Sequence, residues 1–383
     1  MKSFDELYAV VRDLPVVDWH NHLDPRILRE DRPLGSLYEV WVKSDPYKHR
    51  AMRICGESER LITGDASEAE KWDAWRRTLP KLVGNPLFAW SRMEMDVLGI
   101  DGDENVSLSD WTPSRLLRRF NAAYLSPCVG PADEPLGFTL GGCRVVPSLR
   151  LDAASLPDWT NLLPRMAAFH AAGCRVADVS VDAEPLLETP CLAHLCAEAA
   201  RLGWTVLLHL GALRATSARL RAAAGAAGGF AGMRGAFDPS SVARFLDALE
   251  TRCGLPRTVL LTLNPLAHAH LAVLSGSFVG EGMSGKVQLG PAWWWCDHAE
   301  GIRDVFEKQA AYGVLSTFVG MTTDSRSLLS FVRHDYFRRL FCRWIAEKIV
   351  AGDFPEDEAL LRPLLVRVCC GNAAAMVGSE GEG

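Results

Sequence analysis

Nowhere in the 383 residues is there an uninterrupted apolar run of about 18, the length that a membrane-crossing helix needs. The first residues, MKSFDELYAVVRDLPVVD, carry acids at Asp5, Glu6 and Asp13 and lack the apolar core of a secretory signal. No CxxC pair occurs among the 11 cysteines. An odd count without paired spacing argues against a disulfide framework and for reduced thiols, hence for a cytoplasmic location. Positive charge is not in excess: 41 Lys and Arg against 47 Asp and Glu give a net charge of −6. Neither nucleic acid nor an anionic membrane is therefore an expected partner. An anionic small molecule would need arginines placed for it. There is no internal repeat, and no GxGxxG follows the first apolar run to favour an open dinucleotide-binding sheet.

What the chain does have is a series of short runs rich in Val, Leu and Ile. They lie at 16–20, 123–129, 144–150, 174–181, 205–211, 258–264, 286–292 and 316–324. Helical patterns separate most of them, at 159–172, 190–202, 240–253, 265–274 and 299–312. Strands apolar on both faces that alternate with helices predict a parallel sheet. Eight such units predict an α/β fold of the (β/α)8 TIM-barrel type, which needs roughly 250 residues. The surplus is assigned to an inserted, mostly helical subdomain. The expected boundaries are 1–29 for the barrel start with its first strand, 30–118 for the insertion and 119–383 for the remaining barrel and closing helices. The Ala- and Gly-rich stretch 221–235 is expected to be a mobile loop.

The chemistry is expected at the C-terminal ends of the strands, where barrel active sites lie. His20 and His22 end the first run, and residues two apart on a strand face the same way. Asp324 ends the eighth run, which neighbours the first in a closed barrel, and His209 ends the fifth, across the mouth. Two histidines, a carboxylate and a facing histidine predict a site for one divalent metal ion. His268 and His270 repeat the HxH spacing. They follow Asn264-Pro265, a helix start, and residues two apart on a helix do not share a face. They are not expected to be ligands.

The stretches VVDWHNHL, YKHRAMR, WRRTLPKLVGNPLF, LHLGALR, LLTLNP, GKVQLGPAWWW and FVGMTTDSRSLLSFVRHDYFRR, in that order, resemble the uronate (glucuronate) isomerase family of the amidohydrolase superfamily. The chain departs from that pattern at His49, where the family has Trp, and at Ala89-Trp90-Ser91-Arg92, where it has a His-Trp-Thr-His type segment. The resemblance implies interconversion of aldose and ketose hexuronates, D-glucuronate with D-fructuronate or D-galacturonate with D-tagaturonate, with one divalent metal, usually zinc. On that reading His20, His22 and Asp324 are metal ligands. Asp324, Arg326 and His209 are catalytic candidates. Arg214, Tyr47, Arg50, Asp297 and Trp293 are substrate-side candidates, and Asp178 is a further polar group in the mouth. The expected partner is a small sugar acid, with homo-oligomerisation left open. A metal-dependent hydrolase of the same superfamily, a paralogue acting on another sugar acid and a non-catalytic sugar-acid binder remain as alternatives.

Overall fold

In a computed structural model describing residues 3–102, 104–152, 158–181, 190–214, 216–225, 228–235 and 238–379, most of the apolar runs are parallel strands. They are β1 (Val16–Asn21), β2 (Ala122–Val129), β3 (Ser148–Asp152), β4 (Val176–Val181), β5 (Thr205–Leu210), β6 (Arg257–Thr262) and β7 (Val287–Leu289). Each pairs in parallel with the next. Every residue of β1, β4 and β5 is buried, as a sheet covered on both faces requires. The helices Trp159–Ala171, Pro190–Arg201, Pro239–Arg252 and Ala299–Tyr312 lie where the sequence pattern puts them.

Two strands depart from expectation. The third was expected at 144–150 but begins at Ser148, because Pro147 lacks the N–H a ladder needs. Cys143–Val145 instead forms a short strand of its own, antiparallel to Phe138–Leu140. The eighth, expected at 316–324, is not a regular strand. It opens as a 3-10 turn at Leu315–Thr317, and Gly320 and Asp324 both have φ in the left-handed region, at 75° and 49°. Extended pairing cannot run through such residues. Gly320 has no substitute there, since a Cβ would lie 2.1 Å from the carbonyl oxygen of Val368.

Hydrogen bonds nevertheless bridge this segment to both neighbours. The Val319 N–H donates to Oε1 of Gln288 on β7 (2.9 Å). On the other side the Asp324 N–H donates to the carbonyl of His20 (3.1 Å), and the His22 N–H to that of Ser325 (2.7 Å). The fully buried Asp18 carboxylate does much of the rest. Its Oδ1 accepts from the Thr323 N–H (2.7 Å) and the Thr322 hydroxyl (3.0 Å), and its Oδ2 from the Thr323 hydroxyl (2.8 Å) and Asn21 Nδ2 (2.9 Å). One side chain thus replaces several rungs of a ladder.

The described part of 30–118 is mostly helical and packs around Trp41, Trp72, Trp75 and Trp90, in a core shared with β1, β2 and Leu328–Phe331. Asp45 caps the helix Pro46–Ile54, and Pro46 sits at its first turn, where a missing N–H is harmless. Lys48 is buried on this helix between Asp45 (2.9 Å) and Glu94 (3.5 Å), which fixes the helix and so the placement of Tyr47 and Arg50. The stretch 221–235 is helical up to Ala224, where a loop was expected, and Gly232–Met233 pairs with Ala212–Leu213; residues 226 and 227 lie outside the described residues. Glu358–Val377 is apolar and long enough to cross a bilayer by length and composition. Its Leu361, Leu365, Val368 and Val377 lie in the main core, so here it serves as a packing helix.

Candidate metal centre and active-site cavity

His20 is buried at the end of β1, and His22 follows one residue beyond it. Their Nε2 atoms both lie 3.0 Å from the same Asp324 oxygen, Oδ1. The left-handed backbone of Asp324, a conformation that Asp tolerates better than most residues, turns its carboxylate toward the histidine pair. Its other oxygen accepts a hydrogen bond from Trp293 Nε1 (2.9 Å). Burial alone would raise the Asp324 pKa, but the bonds from His20 and His22 hold it well below the usual carboxylate range. Burial likewise opposes a charged His20, but Cys128, Asp178 and Asp324 outweigh it and raise that pKa well above the ordinary value.

On the far side of His20 lies a second cluster. Its Nδ1 is 3.2 Å from Cys128 Sγ and 3.6 Å from Asp178 Oδ2. Asp178 Oδ1 and His209 Nε2 approach to 2.5 Å, while His209 Nδ1 is buried without a hydrogen-bond partner among the described residues. Burial lowers the His209 pKa to about 4, only partly offset by Asp178, so its ring is neutral and carries a free lone pair. His20, His22 and Cys128 form one group spaced to share a cation, and His20, Asp178 and His209 another. Buried imidazole nitrogens, carboxylate oxygens and orphaned acceptors within a few ångströms suit a metal ion.

Arginines ring this centre. Arg150 binds Asp178 and Ser180, and Arg214 donates to the same Ser180 hydroxyl (2.7 Å) while lying over Trp294. Arg326 is exposed and lines a narrow crevice with Tyr47, Asp324, Ser325 and Arg333. The crevice adjoins a larger cavity of about 460 Å³, and Tyr47 lines both. Arg50, Trp90, Trp294, Trp295 and Asp297 are among the other walls of the large cavity. His20 and His22 do not line it, so it sits beside the histidine cluster. Trp293 does not line it either, being 5% exposed and edge-on to His209. Its neighbours Trp294 and Trp295 face the space instead. His268 bonds Asp304 (2.6 Å) and His270 the Leu266 carbonyl (3.3 Å) on their helix, outside these clusters.

The profile of the glucuronate isomerase family matches residues 2–114 and 185–377. The chain belongs to the glucuronate isomerase family. Among curated relatives, the uronate isomerases of Geobacillus thermodenitrificans and Serratia proteamaculans are 33% and 34% identical, each alignment covering 94% of this chain and 93% of the relative. The fold agrees: the crystal structure of the uronate isomerase from Thermotoga maritima superposes with a TM-score of 0.87 at 24% identity, covering 98% of this chain and 97% of that one. That of the glucuronate isomerase from Caulobacter crescentus superposes with a TM-score of 0.81 at 20% identity, covering 98% and 94%. The molecule is thus an isomerase of the uronate isomerase family on a TIM-barrel-type fold.

Three features of this family member were not evident from its sequence. Arg333, in the first turn of the helix Val332–Ala351, is assigned no role by the sequence and is 3% exposed. It donates to Asp297 (3.0 Å) and lies over the rings of Tyr47 and Trp90. Cys128 and Arg150 carry no motif, and with Asp178 they fall in the part of the chain that the family profile leaves unmatched. Only their place on the neighbouring strands β2, β3 and β4 marks them.

Burial raises the Asp297 carboxyl to about 6, with Arg333 partly offsetting the effect. Below that pH the carboxyl takes a proton and the buried ion pair with Arg333 is lost. Turnover is therefore expected to fall as the pH drops through about 6, with that acid limb missing in Asp297→Asn. A wild-type profile flat from about pH 5 to 7, where the limb belongs, contradicts this.

Proposed function

We propose that this isomerase interconverts an aldose and a ketose hexuronate, D-glucuronate with D-fructuronate or D-galacturonate with D-tagaturonate. The observation that carries the reading is the convergence of His20 and His22 on Asp324 beside a cavity walled by Tyr47, Arg50, Trp295 and Asp297. His20, His22 and Asp324 would hold one divalent metal, with His209 and Asp178 completing the donor set. Zinc is the proposed ion, since it accepts histidine nitrogen and carboxylate oxygen. When bound, it supplies positive charge for the oxygens of an enediolate.

The reaction removes a proton at C2 and returns it at C1. Asp324, its second oxygen steadied by Trp293, is the proposed base, directly or through a water it holds. The Tyr47 phenol, its pKa pushed well above the ordinary value by burial, stays protonated and can donate to a substrate oxygen. Arg326 and Arg214 are proposed to grip the carboxylate, which a guanidinium matches with two parallel bonds. Arg50 lies over Trp295, on the cavity wall, and limits entry. The tryptophan walls exclude water that would otherwise exchange the migrating proton. Eleven free thiols fit a reducing compartment, so the proposed location is the cytoplasm.

Ketose formation from both aldoses by the zinc-loaded chain, compared with His22→Ala, tests the reading. Conversion of at least one sugar by the wild type and not by the variant supports it. Hydrolysis of lactones or amides with no ketose formed overturns it in favour of a hydrolase.

A further inference from the structure

A second cavity, of about 270 Å³, lies at the other end of the barrel. Its wall includes Val16, the first residue of β1, and Phe120, just before β2, whereas His20 and His22 stand at the opposite strand end. The rest of the wall comes from the end of the helix Pro86–Leu98, from the helix Val332–Ala351 with Phe331 just before it, and from Arg12 and Arg119 at the ends of the helices Phe4–Val11 and Pro113–Arg119. Four of its side chains are arginines (Arg12, Arg119, Arg338 and Arg339), and only Asp96 and Asp335 are acids. The surplus of two positive charges stands out on a chain whose net charge is −6.

Two of these arginines are already neutralised. Arg12 pairs with Asp13 (2.9 Å) and Arg339 with Asp335 (2.8 Å), whose carboxylate also accepts from the Tyr8 hydroxyl. Among the described residues, no carboxylate pairs with Arg119 or Arg338. Arg338 is 3% exposed, and its guanidinium donates to the carbonyls of Pro15 (2.8 Å) and Arg12 (3.4 Å). Its Nε–H meets no acceptor among the described residues. A guanidinium buried without a counter-anion is strongly unfavourable. His334, in the same wall, turns its Nε2 to Asp18 (3.2 Å), and burial lowers its pKa, so it neither adds charge nor neutralises Arg338. The remaining wall is apolar, with Val16, Met93, Val97, Phe120 and Phe331.

We propose that this cavity binds a small organic anion, its phosphate or carboxylate head on Arg119 and Arg338 and its apolar body against Met93, Val97 and Phe120. The two heads share the chemistry that a guanidinium recognises. The small volume limits the ligand to one ring or a short chain. The site is separate from the isomerase centre and stands whether or not the substrate assignment does.

Phenyl phosphate and benzoate, titrated calorimetrically into the metal-loaded full chain, test the proposal. Saturable binding of at least one, with Kd on the order of 1 mM or tighter, is expected. Arg119→Gln, an exposed position, should weaken it roughly fivefold or more, the loss of one charged hydrogen bond. Arg338→Lys keeps the charge but loses the planar fork and should weaken it as well, thermal melts confirming that each variant is folded. Arg326→Ala, at the barrel mouth, should leave binding unchanged. Which probe binds tighter identifies the head group. Binding of neither anion overturns the proposal, and so does binding that Arg326→Ala abolishes and Arg119→Gln spares.

Discussion

Asp324→Asn is expected to lower kcat/KM by on the order of a thousandfold, the usual scale for losing a positioned proton-transfer group. Asn tolerates the left-handed backbone that position 324 adopts, at φ 49°, so the fold is not the thing being tested. What changes is charge. Both histidines lose the carboxylate oxygen they share at 3.0 Å, and Trp293 loses a charged acceptor. Metal content measured alongside turnover divides the effect. Substoichiometric metal assigns the loss to ligation, whereas full occupancy with slow turnover assigns it to proton transfer. Near wild-type turnover with stoichiometric metal would remove Asp324 from both roles.

Asp18→Ala should destabilise the fold by about 3–5 kcal/mol, as removing one partner from a buried charged network does. At the usual unfolding entropy per residue this is roughly 4–6 °C in Tm for a chain of 383 residues. The residue is fully buried, and Thr322, Thr323, Asn21 and His334 all direct polar atoms at it. Alanine would leave the Thr323 N–H and Asn21 amide unsatisfied and free the segment 322–325 from β1. The pH dependence has a definite sign. Burial favours the protonated acid, but His334 and Thr323 outweigh it and hold the native pKa below the ordinary 3.8. This stability is therefore present above about pH 4 and is lost as the pH falls through the native value. Asp18→Ala should flatten that part of the curve. A Tm within a degree of wild type, less than about 1 kcal/mol for a chain this size, would show that the bonds from β1 and Gln288 hold the eighth segment without Asp18.

The two predictions concern neighbouring parts of one segment, and the segment shows where sequence pattern stops being informative. The run STFVGMTTD has the composition of a buried strand, and its position after a helix suits a barrel. The backbone there is nevertheless irregular, because Gly320 passes against Val368 and Asp324 must turn toward the histidines. Hydropathy reports burial, and these residues are buried either way, so no periodicity separates the two outcomes. Pro147 is the opposite case, where the sequence carries the reason for a late strand start in a missing N–H.

The residues themselves determined that strands and helices alternate, that the helices Pro46–Ile54 and Pro86–Leu98 begin at Asp45-Pro46 and Asn85-Pro86, and that His20 and His22 stand together at a strand end. These follow from local rules: the period of a strand, the cap of a helix, the missing N–H of proline. Only the tertiary structure decided that Cys128 and Asp178 flank His20, that Arg333 is buried against Asp297, and that Trp293 turns to Asp324 instead of the cavity. Each of these joins residues dozens to hundreds of positions apart. Such contacts depend on how strand ends and helix turns meet in space, which no local pattern encodes.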